Sequence, residues 1–300
     1  MQAVALPRPD ARPSSFGVSA TTSVRTTALP SGEQIPVLGQ GTWRLGEGRR
    51  DPAVEIRTLR RGLDLGMTLV DTAEMYGDGA AEELVGEAIA GRRDEVFLVG
   101  KVLPQHATAD GMTDACKASL RRLRTDRFDL YLLHWRGRVP LTQTLRGFGR
   151  LQRAGLIRHW GVSNFHVADL AELVRLPGGD AVATDQVLYS LAYRDIEHDV
   201  LPWCLEAGLP VTAYSPLEQG RLLDHPRLAE VAARHGAAPA QVAIAWVLDH
   251  ERVIAIPQTG DPEHVLENRA AADLRMTGPD RADLNDAFPQ PAWAGRLKAF

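Results

Sequence analysis

Polar side chains that are unusual at the end of a buried strand recur along this chain at nearly equal intervals. Asp71 ends one short apolar run, Lys101 comes 30 residues later, and His134 comes 33 residues after Lys101. Each of them alone has a structural explanation, such as capping a turn or hydrogen bonding in the core. These explanations are independent of one another, so their joint occurrence favours a shared functional site. The series continues at the next three runs with Ser163, Asn164, Gln186 and Tyr214.

Together with Tyr76, on the loop just after Asp71, the first three residues could deliver a proton. Burying Lys101 without a partner would be costly, and Asp71 supplies the countercharge. A cation beside a phenol stabilises the phenolate, so we expect Lys101 to make Tyr76 a stronger acid near neutral pH. His134 would donate a hydrogen bond that orients a substrate oxygen. These roles suit carbonyl reduction, in which a hydride reaches the carbon while a proton reaches the oxygen.

Other reaction classes fit the same residues less well. No nucleophilic serine or cysteine stands beside a base, which disfavours acyl-enzyme chemistry. A metal-dependent hydrolase would need several histidines and carboxylates at strand ends, whereas the sequence offers one histidine and places Lys101 where another ligand should be. The two cysteines, Cys116 and Cys204, indicate neither a disulfide framework nor a cysteine-based zinc site. We therefore expect no metal, and keep the hydrolase as an alternative that predicts metal-dependent activity.

Eight short apolar runs, typical of buried parallel strands, alternate with amphipathic segments typical of helices. Asp51-Pro52 predicts the start of the first of these helices and Gly66 predicts its end. The eight strands are predicted at Pro36–Leu38, Thr68–Val70, Val96–Val99, Phe128–Leu132, Ile157–Gly161, Ala183–Val187, Pro210–Ala213 and Val253–Ala255.

This alternation implies either a doubly wound sheet or a closed barrel. A doubly wound dinucleotide-binding sheet should carry G-x-G-x-x-G after an early strand, and neither Gly39-Gln40-Gly41 nor Gly46-Glu47-Gly48 continues to a correctly placed third glycine. We therefore predict an α/β fold, a (β/α)₈ TIM barrel, whose strand-end residues open onto the carboxyl-terminal rim. Thr26–Ile35 is predicted to form a β-hairpin before the barrel, and a loop and helix to end the chain.

The amino-acid composition limits the kinds of binding partner that we expect. The 34 basic and 38 acidic residues nearly balance, and the densest basic run, residues 121–124, is expected to face water at a helix end. No apolar stretch reaches the roughly 18 residues that a membrane helix needs. We predict a disordered tail over residues 1–27, a single barrel domain over residues 28–300, and a cytoplasmic monomer that binds neither nucleic acid nor membranes.

A series of short motifs follows the same strand ends along the chain. They are Gly39-Gln40-Gly41-Thr42-Trp43, Asp71-Thr72-Ala73-Glu74-Met75-Tyr76-Gly77, Val99-Gly100-Lys101, Leu133-His134, Gly161-Val162-Ser163-Asn164-Phe165, Asp185-Gln186-Val187, Ala213-Tyr214-Ser215-Pro216-Leu217 and Ile256-Pro257. With these motifs in this order, the chain resembles the aldo-keto reductases over about Leu29 to Pro289. The opening residues 32–39 look most like bacterial members that reduce small aldehydes such as methylglyoxal.

The resemblance implies roles for individual residues. The catalytic tetrad would be Asp71, Tyr76, Lys101 and His134, acting with an extended NADPH that needs no glycine fingerprint. Ser163, Asn164 and Gln186 would hold the nicotinamide carboxamide, and Tyr214 would stack on its ring. Further cofactor contacts would come from Thr42, Ser215, Leu217, Gln258, Thr259, His264, Glu267 and Asn268. Trp43, Leu103 and Trp135 would line the substrate pocket, joined by Trp293 from the carboxyl-terminal loop.

The sequence departs from the family at the cofactor's phosphate end. Many relatives place a lysine directly after the Ile-Pro pair and an arginine six residues later, where this chain has Gln258 and His264. Charge-assisted partners favour phosphate, and only Arg269 stands nearby. We therefore expect NADPH to remain the main cofactor with a reduced preference over NADH. A non-catalytic nicotinamide-nucleotide sensor on the same barrel is the alternative function.

Overall fold

The computed structural model describes residues 23–292, which begin with an antiparallel β-hairpin. Its strands are β1 (Thr26–Ala28) and β2 (Gln34–Pro36). Gly32, in the intervening turn, has a φ of 87°, a conformation that glycine adopts without the steric cost of a Cβ. The predicted hairpin is confirmed.

The described structure begins before the end of the predicted tail. Val24 is buried, and the backbone N–H of Val37 donates to the carbonyl of Arg25, which extends the hairpin ladder toward the amino terminus. Thr26 and Thr27 therefore belong to a strand rather than to a tail. The remaining part of that prediction, residues 1–22, lies outside the described residues.

Eight parallel strands follow in sequence order around a barrel. The barrel closes where the N–H of Gly39 donates to Ala255 over 2.9 Å and that of Gly41 donates to Pro257 over 3.0 Å. The predicted (β/α)₈ barrel is therefore confirmed. Its strands are β3 (Gln40–Gly41), β4 (Leu69–Asp71), β5 (Phe97–Val102), β6 (Phe128–Leu133), β7 (Ile157–Ser163), β8 (Asp185–Leu188), β9 (Val211–Tyr214) and β10 (Val253–Ile256).

Helices cover the outside of the barrel. In the first of them, Pro52 occupies the first position and the Asp51 carboxylate accepts from the N–H of Ala53, as the sequence predicts. The last described helix is the predicted carboxyl-terminal one. The helices are α1 (Pro52–Asp64), α2 (Ala80–Ala88), α3 (Gly111–Leu123), α4 (Leu141–Arg153), α5 (Val167–Arg175), α6 (Val200–Glu206), α7 (Pro226–Arg234), α8 (Pro239–Leu248), α9 (Pro262–Ala271) and α10 (Gly278–Ala287).

The prediction that the first barrel strand spans Pro36–Leu38 is wrong. Pro36 ends the hairpin, and Leu38 makes only an isolated bridge to Ala255, while the barrel strand proper is β3. A proline has no N–H to donate to a ladder, so it suits the edge of the small hairpin rather than the barrel. The other seven strands end within three residues of their predicted limits.

The barrel interior is closed at the amino-terminal ends of its strands by the hairpin. Leu29 and Ile35 of the hairpin pack against the inward-facing residues of the strands. The Glu33 carboxylate pairs with Arg158 and His159 at the start of β7, which places the hairpin over this end. The opposite, carboxyl-terminal end is therefore the one left open for a site.

None of the helices within residues 23–292 has the length and apolar character needed to cross a bilayer. Within the same range, no group of three or more His, Cys, Asp or Glu side chains is arranged to hold a metal ion.

Candidate active site

The carboxyl ends of the barrel strands converge on one cavity of about 500 Å³. Asp71 ends β4, His134 follows β6 directly, and Tyr76 begins a short 3₁₀ turn on the loop after β4. Successive parallel strands therefore bring together residues that are far apart in sequence. The same cavity is lined by Ser163 from β7, Gln186 from β8 and Tyr214 from β9.

Lys101 lies fully buried behind the cavity and uses all its N–H groups. Its Nζ donates to Asp71 Oδ1 over 2.5 Å, to the carbonyl of Thr72 over 3.0 Å and to the Tyr76 hydroxyl over 3.1 Å. A buried ammonium with an ionised partner and no unsatisfied donor is stable in its charged form. Lys101 therefore holds a positive charge directly beside the Tyr76 oxygen.

Burial and charge oppose each other in this group. Burial lowers the pKa of Lys101, but Asp71 and Tyr76 outweigh it, so the net pKa is raised and the ammonium persists. Burial raises the pKa of Tyr76 and the charge of Lys101 lowers it, and burial prevails. The expectation that Lys101 makes Tyr76 a stronger acid than free phenol is therefore wrong in its net result, because desolvation is the larger effect. Lys101 still limits the rise, and Tyr76 keeps its proton at neutral pH.

His134 is neutral in this setting. Burial, with a smaller contribution from Lys101, lowers the pKa of His134 to about 3. Its ring meets that of Tyr76 edge to face, with centroids 5.8 Å apart, and its Nδ1 is buried without a hydrogen-bond partner in residues 23–292. A neutral imidazole carries one N–H, and a buried acceptor is tolerated without a partner more readily than a buried donor. We therefore assign the proton to Nε2.

A second polar network surrounds the tetrad. Gln186 Nε2 donates to Asp71 Oδ2 over 2.8 Å, so the two carboxylate oxygens serve Gln186 and Lys101 separately. The Ser163 hydroxyl donates to the Gln186 carbonyl over 2.7 Å, and the Tyr214 hydroxyl donates to Asn164 Oδ1 over 2.9 Å. Because the Gln186 nitrogen is committed to Asp71, its Oε1 remains as an acceptor: none of the described residues donates to it.

Most of the residues singled out from the sequence lie together. Beyond those already described, the lining includes Thr42, Trp43, Trp135, Ser215, Leu217, Gln258, Thr259 and His264. The hydroxyl of Thr42 is already used, since it donates to the carbonyl of Asp71 over 2.9 Å.

Three predicted contact residues lie outside the cavity lining: Leu103, Glu267 and Asn268. The backbone N–H of Leu103 donates to Glu74 Oε1, which holds the start of the loop after β5, and Asn268 is buried within α9. Trp293 falls outside the described residues. Lys101 also does not line the cavity, and reaches it through Asp71 and Tyr76.

Part of the cavity lining was not predicted from the sequence. Met75 lies beside Tyr76, and three arginines, Arg44, Arg49 and Arg50, enter from the loop between β3 and α1. The concentration of arginine within this short loop was the available signal. Nothing local in the sequence showed that the loop turns toward the cavity.

The chain is similar in sequence to known proteins over most of its length. The model of the Aldo/keto reductase family matches residues 37–287. Methylglyoxal reductase YeaE of Escherichia coli (strain K12) is 48% identical over 262 residues, covering 86% of this chain and 92% of that protein. Methylglyoxal reductase DkgB of Salmonella typhimurium is 32% identical over 268 residues, covering 86% of this chain and 96% of that protein.

Solved structures show the same likeness. An aldo/keto reductase from Klebsiella pneumoniae in complex with NADP and acetate is 46% identical, with a TM-score of 0.90, and the match covers 92% of this chain and 99% of that one. A structure of an aldo-keto reductase from the same organism in complex with NADPH is 45% identical, with a TM-score of 0.90, covering 93% and 100% of the two chains.

Proposed function

This chain belongs to the aldo/keto reductase family and reduces carbonyl compounds, and we propose that Asp71, Tyr76, Lys101 and His134 perform that reaction with NADPH as cofactor. The single observation that carries the assignment is the set of hydrogen bonds from Lys101, which joins Asp71 and Tyr76 into one hydrogen-bonded unit at the cavity. A non-catalytic nucleotide sensor would not need a fully buried lysine beside a phenol.

The donors and acceptors at the cavity wall fit a nicotinamide carboxamide. Gln186 Oε1 can accept from an amide N–H, and the Asn164 and Ser163 polar groups lie beside it. Tyr214 presents an aromatic ring to the same space. When bound, NADPH supplies the hydride that reduces the carbonyl carbon.

The chain's own residues then handle the carbonyl oxygen. His134 Nε2 donates a hydrogen bond that orients the oxygen, and the neutral ring does not lose its proton to it. The Tyr76 hydroxyl gives its proton to the oxygen as negative charge develops there. Lys101 stabilises the phenolate that Tyr76 leaves, and Asp71 keeps the ammonium in place.

For the substrate, we propose compact aldehydes, of which methylglyoxal is the first to test. The names of two relatives support this choice, as does the aromatic wall formed by Trp43 and Trp135 near Tyr76 and His134. We further propose a monomer working in the cytoplasm, since one chain supplies the cavity lining and both cysteines are free, buried thiols. Light scattering after gel filtration tests the monomer, and cell fractionation tests the location.

The proton donor is tested by following NADPH oxidation with methylglyoxal in Tyr76→Phe. Loss of a general acid typically costs about 100- to 10,000-fold in rate, and we expect kcat to fall within that range while NADPH still binds. Tyr131→Phe is the matched control, because it also removes a phenolic hydroxyl, but one that is fully buried outside the cavity lining and lacks a hydrogen-bond partner among the described residues. We expect its kcat to match that of the wild type.

Each contrary result has a defined meaning. Wild-type turnover in Tyr76→Phe would show that another group is the acid. NADPH binding without turnover of any aldehyde or ketone would support the sensor instead. Turnover that is lost when EDTA is added would support the metal-dependent hydrolase instead.

A further inference from the structure

Three arginines give one end of the cavity a positive character that the catalytic group does not need. Arg44, Arg49 and Arg50 lie on the loop between β3 and α1 and line the cavity beside the loop that follows β10. The loop after β10 itself contributes Gln258, which is uncharged, and His264 lines the same end from the first turn of α9.

The nearby Arg269 cannot serve this end of the cavity. Its side chain is buried, its Nε donates to the carbonyl of Leu65 over 3.1 Å, and its Nη1 pairs with Asp273 over 2.8 Å. It therefore joins α9 to the end of α1. Positive charge at the cavity comes from the other side, from the loop after β3.

Arg50 has the most defined position of the three. Its Nη2 lies 3.3 Å from Asp261 Oδ2, at the residue that caps the amino terminus of α9. Its stem packs over Gly260, where a Cβ would come within 3.1 Å of Arg50 Cδ. The absence of a side chain at Gly260 therefore allows the guanidinium to lie beside the first turn of α9, where the helix dipole also favours anions.

The arginines are only loosely neutralised by the protein. Arg49 lies 3.9 Å from Glu47, and the side chains of Arg49 and Arg50 are 56% and 46% exposed. Arg44 rests over the Trp43 ring at 4.1 Å and has no carboxylate within salt-bridge distance in residues 23–292. In contrast, Arg92 pairs with two carboxylates at 2.7 and 2.8 Å. Charge at the cavity therefore remains available to an anionic ligand.

We propose that Arg50 binds the 2′-phosphate of NADPH and is the residue that favours NADPH over NADH. This inference rests on the proposed function, since it assigns one end of the cofactor to a residue of this chain. A phosphate monoester carries more negative charge than the Asp261 carboxylate and offers several acceptors to a guanidinium. It can therefore displace Asp261 as the partner of Arg50, which the 2′-hydroxyl of NADH cannot do.

The test is a binding titration, independent of turnover, with NADPH, NADH and 2′,5′-ADP. Arg50→Ala removes one charge-assisted partner, so it should weaken the binding of NADPH and of 2′,5′-ADP by about 10- to 100-fold. The Kd of NADH should change by less than about twofold. Arg57→Ala is the control, since it removes the same charge from an exposed position on α1 outside the cavity. We expect it to change none of the three affinities.

A second variant tests the competition with the carboxylate. Asp261→Asn keeps a good helix cap, because asparagine caps as well as aspartate, and removes the competing charge. We expect tighter binding of NADPH and 2′,5′-ADP and unchanged binding of NADH.

Two results would overturn the inference. An equal loss of NADPH and NADH affinity in Arg50→Ala would place the arginine at a part common to both dinucleotides. Unchanged NADPH affinity would remove Arg50 from the site. Either result leaves the proposed function standing if wild-type protein binds NADPH and turns over aldehydes, whereas failure of the wild-type protein to bind NADPH overturns both.

Discussion

At the scale of single residues, the site depends on a charge held where water cannot reach it. Lys101 is fully buried, and each of its donors has an acceptor, so its charge acts on Tyr76 through a medium that screens little. The same burial raises the pKa of Tyr76 and lowers that of His134. Both side chains are therefore neutral at neutral pH.

These protonation states predict the pH dependence of reduction. The acid form of Tyr76 is present below its pKa, and since that pKa is raised, activity should be lost only as the pH rises through a strongly alkaline range. His134, with a pKa of about 3, stays neutral above that value and should give no loss on the acidic side. We expect kcat/KM at saturating NADPH to be flat between about pH 5 and pH 9.

His134→Gln is the control for this profile. Glutamine keeps an N–H donor but cannot titrate, so the variant should be slower and show the same flat region. An acidic loss with a midpoint near the ordinary histidine pKa of about 6.5, present in the wild type and absent from His134→Gln, would contradict the neutral assignment.

At the scale of the elements, the short strand β3 is held to α1 by a buried side chain. Gln40 Nε2 donates to the carbonyls of Leu59 and Met67 over 3.2 and 3.0 Å. The amide can lie there because Gly62, inside α1, has no Cβ: one placed there would come within 2.1 Å of Gln40 Oε1. This contact orients the start of the loop that carries Arg44 and Arg50.

Replacing two helical glycines by alanine should therefore change the stability of the protein in different ways. Gly62→Ala forces Gln40 out of its two hydrogen bonds, and we expect it to lower the free energy of unfolding by about 1–3 kcal/mol. Gly149→Ala, on α4, meets only the flexible end of Arg153 at 3.3 Å, and should be neutral or stabilising by up to about 1 kcal/mol. Urea unfolding measures both. A Gly62→Ala protein as stable as the wild type would show that Gln40 moves without loss.

A surface prediction holds only in part at the scale of an element. The arginines of residues 121–124 were expected to face water, and Arg121 and Arg124 are exposed. Arg122 is instead half-buried, and its Nε donates over 2.6 Å to Glu82, whose side chain is fully buried. The helix pattern indicated a polar side of α3. It did not show that a carboxylate from α2 is buried against that side.

At the scale of the whole molecule, the barrel has a closed base and an open rim. Leu29 and Ile35 fill the base from the hairpin, with 2% and 1% of their surface exposed, whereas the cavity opens at the other end. Packed layers of strand side chains separate the two ends. Stability and binding should therefore be separable by mutation.

Ile35→Ala tests this separation. Deleting most of a buried isoleucine typically costs about 2–4 kcal/mol in the free energy of unfolding, and we expect a loss of that size by urea unfolding. The Kd of NADPH should stay within about twofold of the wild type. Gln34→Ala, exposed on the neighbouring position of β2, should alter neither quantity. A large loss of NADPH affinity in folded Ile35→Ala would contradict the independence of the two ends.

The sequence by itself determined the barrel and predicted which polar residues would meet at its open rim. The periodicity of strands and helices is a local property of the sequence, and so is the polar residue that ends each strand. Asp71, Lys101 and His134 could therefore be assigned to one rim of the barrel from the sequence alone. Tertiary structure alone decided which groups touch. Gln186 reaches Asp71 across 115 positions, and Arg50 reaches Asp261 only because the barrel closes between β3 and β10. It also decided the net pKa of Tyr76, because burial is a property of the packed molecule and no spacing of residues along the chain measures it.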